Sequence, residues 1–203
     1  ISNQAMILTA PFQGVPNPSK FHGMTLSSVC SLVVNPEPVI QFNLQIPSIT
    51  SEHLHKYNYL ALHIMKPSND SVNLARTFSK GIKVSHDENG QIQHTKPFEL
   101  LEKSEWDIYD NGSRYPLSMN STHENVFIDD INLNIPILTK NSERILICEK
   151  YKVFQIYNHE IWTCKVKDII VNDDVSGIKT GGLLYFNRQF HTIGDALKEP
   201  NQK

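Results

Sequence analysis

A chain of 203 residues, 39% hydrophobic and 20% charged, can bury a core of ordinary size and is most simply read as one domain over residues 1–203. Its 19 basic and 21 acidic residues leave a formal charge of −2, so no strong field favours nucleic acid or an anionic membrane, and neither is an expected partner. No apolar run approaches the roughly 20 residues of a membrane-spanning helix. The three cysteines, Cys30, Cys148 and Cys164, lack CxxC spacing, which argues for reduced thiols in an intracellular setting, cytoplasmic or mitochondrial, and against zinc or a disulfide framework.

Residues 5–10 are short, apolar and stopped by Pro11, which predicts a buried strand followed by a loop. Lys20 in that loop has two readings, a phosphate or nicotinamide contact and a solvated side chain. Gly23 then opens a segment rich in small hydroxyl residues, Thr25, Ser27, Ser28 and Ser31, where a glycine suits a tight turn beside a ligand. Residues 24–34 and 39–45 are predicted to form a strand pair, its connection fixed by Pro36 and Pro38, which cannot donate to a ladder. Alternation places Gln41, Asn43 and Gln45 on one face, either as a solvent-facing stripe or as amides that donate to and accept from a polar ligand.

Residues 48–57 predict a helix whose start carries Ser48, Thr50 and Ser51, a suitable phosphate seat because a helix N-terminus presents unpaired N–H groups. His53 and His55 lie two apart and so do not share a helix face, and no metal is expected. Residues 59–65 predict a core strand containing His63 as a packed, hydrogen-bonded histidine. A helix over 72–80 follows, with Ser71 as its N-cap, Leu74 and Phe78 on one face, and Arg76 directed either to a phosphate or to water. Residues 82–133 are polar and turn-rich, with Phe98, Leu100, Leu101, Trp106, Ile108 and Tyr109 as apolar anchors. An insertion of this length covers an edge, forms a lid or contacts a protein partner. Strand signals return from Ile145, with a turn at Tyr157-Asn158-His159-Glu160, and successive short strands favour an antiparallel barrel.

The run Gly23-Met24-Thr25-Leu26-Ser27-Ser28, the Pro36-Glu37-Pro38 corner and Ser48-Ile49-Thr50 resemble the flavin reductase-like proteins, the FMN-binding split barrels. Leu74-Ala75-Arg76-Thr77-Phe78-Ser79-Lys80-Gly81 is similar to that family's following helix in the form of fungal members. The likeness is strong over residues 5–81 and weaker over 134–197. Residues 82–133 depart from the compact bacterial pattern.

The resemblance implies a mainly β fold, an antiparallel, Greek-key-like split barrel with a few short helices and a long insertion at about 82–133. It implies FMN as cofactor and NADH or NADPH as co-substrate, with hydride passing from nicotinamide to flavin. Thr25, Ser27, Ser28 and Val29 would meet the ring system, Asn43 and Gln45 would flank the chain, and Ser48, Thr50 and Ser51 would hold the phosphate. His159 matches a position where many members place a histidine near the nicotinamide, with Asn158 standing in place of the usual aspartate; a structural turn histidine is the other reading. A homodimer is also implied. Two rival functions remain: a non-catalytic binding or assembly subunit of a larger complex, and a flavin-dependent oxygenase or oxidase.

Overall fold

The structure is a computed structural model that describes residues 2–80, 83–86, 92–110, 134–172 and 180–195. In chain order the strands are β1 (Asn3–Gln4), β2 (Met6–Ala10), β3 (His22–Leu26), β4 (Cys30–Val33) and β5 (Val39–Gln45). Helix α1 (Ile49–Tyr57), strand β6 (Tyr59–Met65) and helix α2 (Asn69–Lys80) follow. The rest is β7 (Lys83–His86), β8 (Ile92–Thr95), β9 (Trp106–Asp110), β10 (Asn134–Leu138), β11 (Ser142–Ile156), β12 (His159–Val171), β13 (Leu184–Phe186) and β14 (Gln189–His191).

Seven strands form one antiparallel sheet in the order β3-β2-β6-β11-β12-β5-β4. Its two edges, β3 and β4, are consecutive in sequence, joined only by residues 27–29. A flat sheet would hold those edges about 29 Å apart, whereas four residue steps span at most about 14 Å. The sheet is therefore rolled into a barrel, and the join carries a clasp: the Asn43 backbone N–H donates to Ser28 Oγ at 3.0 Å. The hydroxyl segment that reads as one strand over 24–34 is thus two strands on opposite edges. β3 pairs with β2, and of these two strands β4 alone pairs with β5.

The barrel is filled by alternating residues of its strands, among them Leu8, Leu26, Phe42, Leu44, Leu62, Trp162 and Cys164, with Leu54 of α1 closing one end. Ser48 caps α1, its Oγ accepting from Ser51 N at 3.4 Å, and Asn58 ends it in the left-handed conformation with its N–H on the Leu54 carbonyl. Asn is one of the few residues that adopt this conformation readily. Helix α2 packs Leu74, Ala75 and Phe78 against the outer wall. Ser68, not Ser71, receives the first-turn N–H, since Ser71 N donates to Ser68 Oγ at 3.2 Å.

Two of the insertion's apolar anchors belong to the core. Phe98 and Trp106 are buried and meet Phe21 edge-on at ring-centroid distances of 5.3 and 5.2 Å. Ile135 and Ile137 of β10, with Tyr109 of β9, cover Tyr59, Ile145 and Ile147 on the outer face of β6 and β11. Leu100 is exposed. Residues 111–133 lie outside the described residues. His63 is fully buried; Leu138 N donates to its Nε2 at 3.0 Å, so its Nδ1–H donates to the Ile7 carbonyl at 2.8 Å. Burial pushes this imidazole down to about 4, outweighing the backbone bond that favours the charged form.

Candidate functional site

The polar face of β5 reads true. Ile40, Phe42 and Leu44 are buried, while Asn43 and Gln45 are exposed on the outer side of the barrel. The β5–β12 register sets His159 opposite Gln45 and Ile161 opposite Asn43, and directly opposed residues share a face. On the other side of β12, Ile156 opposes His159 and Phe154 opposes Ile161. Two rows result, Ile156–His159–Gln45 and Phe154–Ile161–Asn43, running from apolar to polar. His159 is exposed, and its Nδ1 lies 2.9 Å from Asn158 Oδ1; with that oxygen assigned as acceptor, Nδ1 carries the donated hydrogen.

Helix α1 begins where β5 ends, and the chain between them is held to the β11–β12 turn by Ile46 N donating to Asn158 O at 2.8 Å. His159, Gln45 and the first turn of α1 therefore sit at one end of the barrel. Within that turn the three hydroxyls differ. Ser48 serves as cap. Thr50, 7% exposed, has no side-chain hydrogen bond among the described residues. Ser51 donates its hydroxyl hydrogen to Glu160 Oε2 at 2.5 Å.

The remaining expected contacts divide. Ser27 is exposed at the β3–β4 join, and Ser28 clasps Asn43. Thr25 is not directed to this end; its hydroxyl donates to the Ala75 carbonyl at 2.6 Å and fastens β3 to α2. Val29 packs against the barrel core. Gly23 lies inside β3 rather than in a ligand turn, and a Cβ there would come within 2.7 Å of Leu8 O and 2.9 Å of the Phe78 ring, so close packing of β2, β3 and α2 is what requires glycine. Lys20 is exposed, and Arg76 lies over the Phe190 ring.

Glu160 is the group that sequence reasoning missed. It is 8% exposed and accepts from Ser51, from Trp162 Nε1 at 2.9 Å and from His55 Nε2 at 2.9 Å. Burial pushes the carboxyl up, but the three donors outweigh it and hold it below the usual carboxylate range. Its signal in the sequence was alternation: Glu160 shares a strand face with Trp162 and Cys164, which point into the core, so an inward carboxylate had to find donors. His53 and His55 part company as expected, His53 packing on the His22 ring at 4.1 Å and His55 turning to Glu160. Burial, then the neighbouring His53 and Lys96, push His22 down to about 4. Among the described residues no three metal-capable side chains gather into one group, and no helix is long and apolar enough to cross a membrane.

A flavin phosphate is tested here by the donors left over. The Ser48 hydroxyl hydrogen, the unpartnered Thr50 hydroxyl and the first-turn N–H groups of α1 form a small, neutral donor set of the kind that receives a phosphate. These residues fit the group.

Comparison with known proteins agrees with this architecture. A flavin reductase domain protein from Arthrobacter sp. FB24 superposes with a TM-score of 0.63 at 19% identity, covering 98% of this chain and 92% of that one. The NADH:FAD oxidoreductase SgcE6 of Streptomyces globisporus C-1027 gives 0.60 at 14% identity, with 96% and 88% coverage. Flavin reductase HpaC, solved with NADP+, gives 0.53 at 16% identity, with 95% and 90% coverage. At these identities the likeness concerns the fold, the split barrel of the flavin reductases. The family description "Flavin reductase like domain" matches residues 1–194, and the chain belongs to that family.

Proposed function

We propose that the protein is an NAD(P)H-dependent flavin reductase whose flavin is FMN. The observation that carries this reading is the convergence of the Gln45–His159 pair and the α1 first turn at one end of the barrel, held there by the Ile46–Asn158 bond. Bound flavin would supply the hydride-accepting centre, and the protein's part is to bind, orient and shield it.

In this reading Ser48, Thr50 and the free N–H groups of α1 hold the phosphate, while Ser27, Asn43 and Gln45 offer hydroxyl and amide groups along the outer face. Ser28 holds the join closed beneath them, and Thr25 and Val29 stiffen its two sides. His159 is exposed beside Gln45, and in this reading it would face the nicotinamide. Family membership supports flavin and nicotinamide nucleotide as ligands, and the names of two structural neighbours give NADH and NADP+ for those proteins.

We further propose a homodimer through the outer face of β4, β5, β12 and β11. Phe154 and Ile156 are each at least 50% exposed there, flanking the polar rows, and a second copy would cover them and wall the flavin. Anaerobic addition of NADH or NADPH to the FMN complex tests the reading. Loss of the oxidised flavin absorbance is the expected result, and a protein that binds neither nucleotide would instead be a scaffold subunit.

A further inference from the structure

We propose that Glu160 is a specificity-determining residue that weakens the site's hold on the phosphate of the flavin, so that FMN binds less tightly, relative to riboflavin, than the donors of the α1 turn alone would allow. This rests on the flavin-site reading above and concerns what the α1 turn does once a flavin arrives.

The geometry is a chain of two contacts. Glu160 Oε2 receives the Ser51 hydroxyl at 2.5 Å, and Ser51 N donates to Ser48 Oγ at 3.4 Å. The carboxylate thus lies beside the third residue of the helix, within one turn of the hydroxyls that would hold the phosphate. Two effects follow, both against an anion. The hydroxyl hydrogen of Ser51 is taken up by Glu160 and withdrawn from any ligand. A fixed negative charge also offsets the partial positive charge that makes a helix N-terminus attractive to phosphate.

Three donors, Ser51, His55 and Trp162, hold the carboxylate in place. The charges around it do not reverse its sign. His55 faces it from the second turn and donates without needing to be charged. Lys150 reaches the carbonyl end of the same stretch, with Nζ 3.4 Å from His55 O. Lys56 lies over the Tyr57 ring, and Glu52 in the first turn adds a further negative charge. The ring system of the flavin, by contrast, would meet the outer face of β5 and β12, and Glu160 points to the other side of β12.

The test is a fluorescence titration of the full chain with FMN and with riboflavin, for wild type, Glu160→Gln, His55→Arg and Ser48→Ala. Glutamine keeps the length and an accepting oxygen and removes the charge; arginine at the half-exposed position 55 leaves Glu160 in place and neutralises it. Both variants are expected to tighten FMN about fivefold and to leave riboflavin unchanged, while Ser48→Ala weakens FMN alone. If both charge variants leave the FMN-to-riboflavin ratio at its wild-type value, or lower it, while Ser48→Ala still weakens FMN, the role of Glu160 is overturned and the flavin site stands. If wild type binds neither flavin, or Ser48→Ala changes neither affinity, the site reading fails and this inference fails with it.

Discussion

Gln45 and His159 face each other across the β5–β12 ladder, and one residue further along the backbone N–H of Ile46 donates to the Asn158 carbonyl at 2.8 Å. That bond makes the hairpin turn and the start of α1 parts of one rigid corner. Replacing His159 with Gln keeps the turn and removes the imidazole. The expected outcome is an approximately tenfold fall in kcat/KM for the nicotinamide nucleotide, about 1.4 kcal/mol of lost stabilisation, with FMN affinity unchanged. Steady-state kinetics and a flavin titration on the same preparation check it, and unchanged kinetics would leave His159 a turn residue.

The α1 turn carries a second expectation. The double change Ser48→Ala with Thr50→Ala removes two hydroxyl donors to the phosphate and should weaken FMN binding by about 1–3 kcal/mol. Fluorescence titration reads the difference directly. An FMN affinity equal to wild type would put the phosphate elsewhere.

His63 gives the stability a pH dependence. Its ring must be neutral in the folded barrel, with Nε2 accepting from Leu138 and Nδ1–H donating to Ile7. Burial holds it down to about 4 against an ordinary value of 6.5. Between those values the unfolded chain binds the proton and the folded one does not, so stability is full above about 6.5 and falls by about 3 kcal/mol as the pH drops to about 4. Urea unfolding of wild type and His63→Gln at pH 7 and pH 5 should show the steeper loss in wild type. Parallel losses would contradict this assignment.

The insertion is predicted to be a stability element. Phe98→Ala removes a fully buried ring that meets Phe21 and Phe78 edge-on, at 5.3 and 5.1 Å. The cost should be about 3–5 kcal/mol, read by denaturant unfolding. A loss below about 1 kcal/mol would mean that the barrel core does not depend on this segment.

The apolar rows are predicted to be covered by a second copy. Phe154→Glu places a charge in the middle of that face, beside Ile161, and should shift the protein to monomer by light scattering. A wild-type protein that is already monomeric would contradict the proposed interface.

How much of this was legible in the sequence depended on whether the signal was local. The alternation of residues 39–45 gave both the buried and the exposed side of β5, and residues 59–65 gave a core strand with a packed histidine, because period and apolar content are properties of a short window. The division of residues 24–34 between two barrel edges was not legible, since what splits them is the closure of a seven-stranded sheet. Gly23 read as a ligand glycine for the same reason: its constraint comes from Leu8 and Phe78, both far away in sequence. At the site, Ser48 was readable as a cap. That the hydroxyls of Thr25 and Ser51 are already engaged within the protein was not readable, because their acceptors, Ala75 and Glu160, lie 50 and 109 residues away.

The most direct measurement of the central claim is an absorption spectrum of the purified protein with FMN, recorded anaerobically before and after NADH or NADPH. The account predicts that FMN binds, with a shifted visible spectrum, and bleaches on addition of one of the two nucleotides. A protein that leaves FMN free in solution, or that holds it without bleaching under either nucleotide, would contradict the assignment as a reductase.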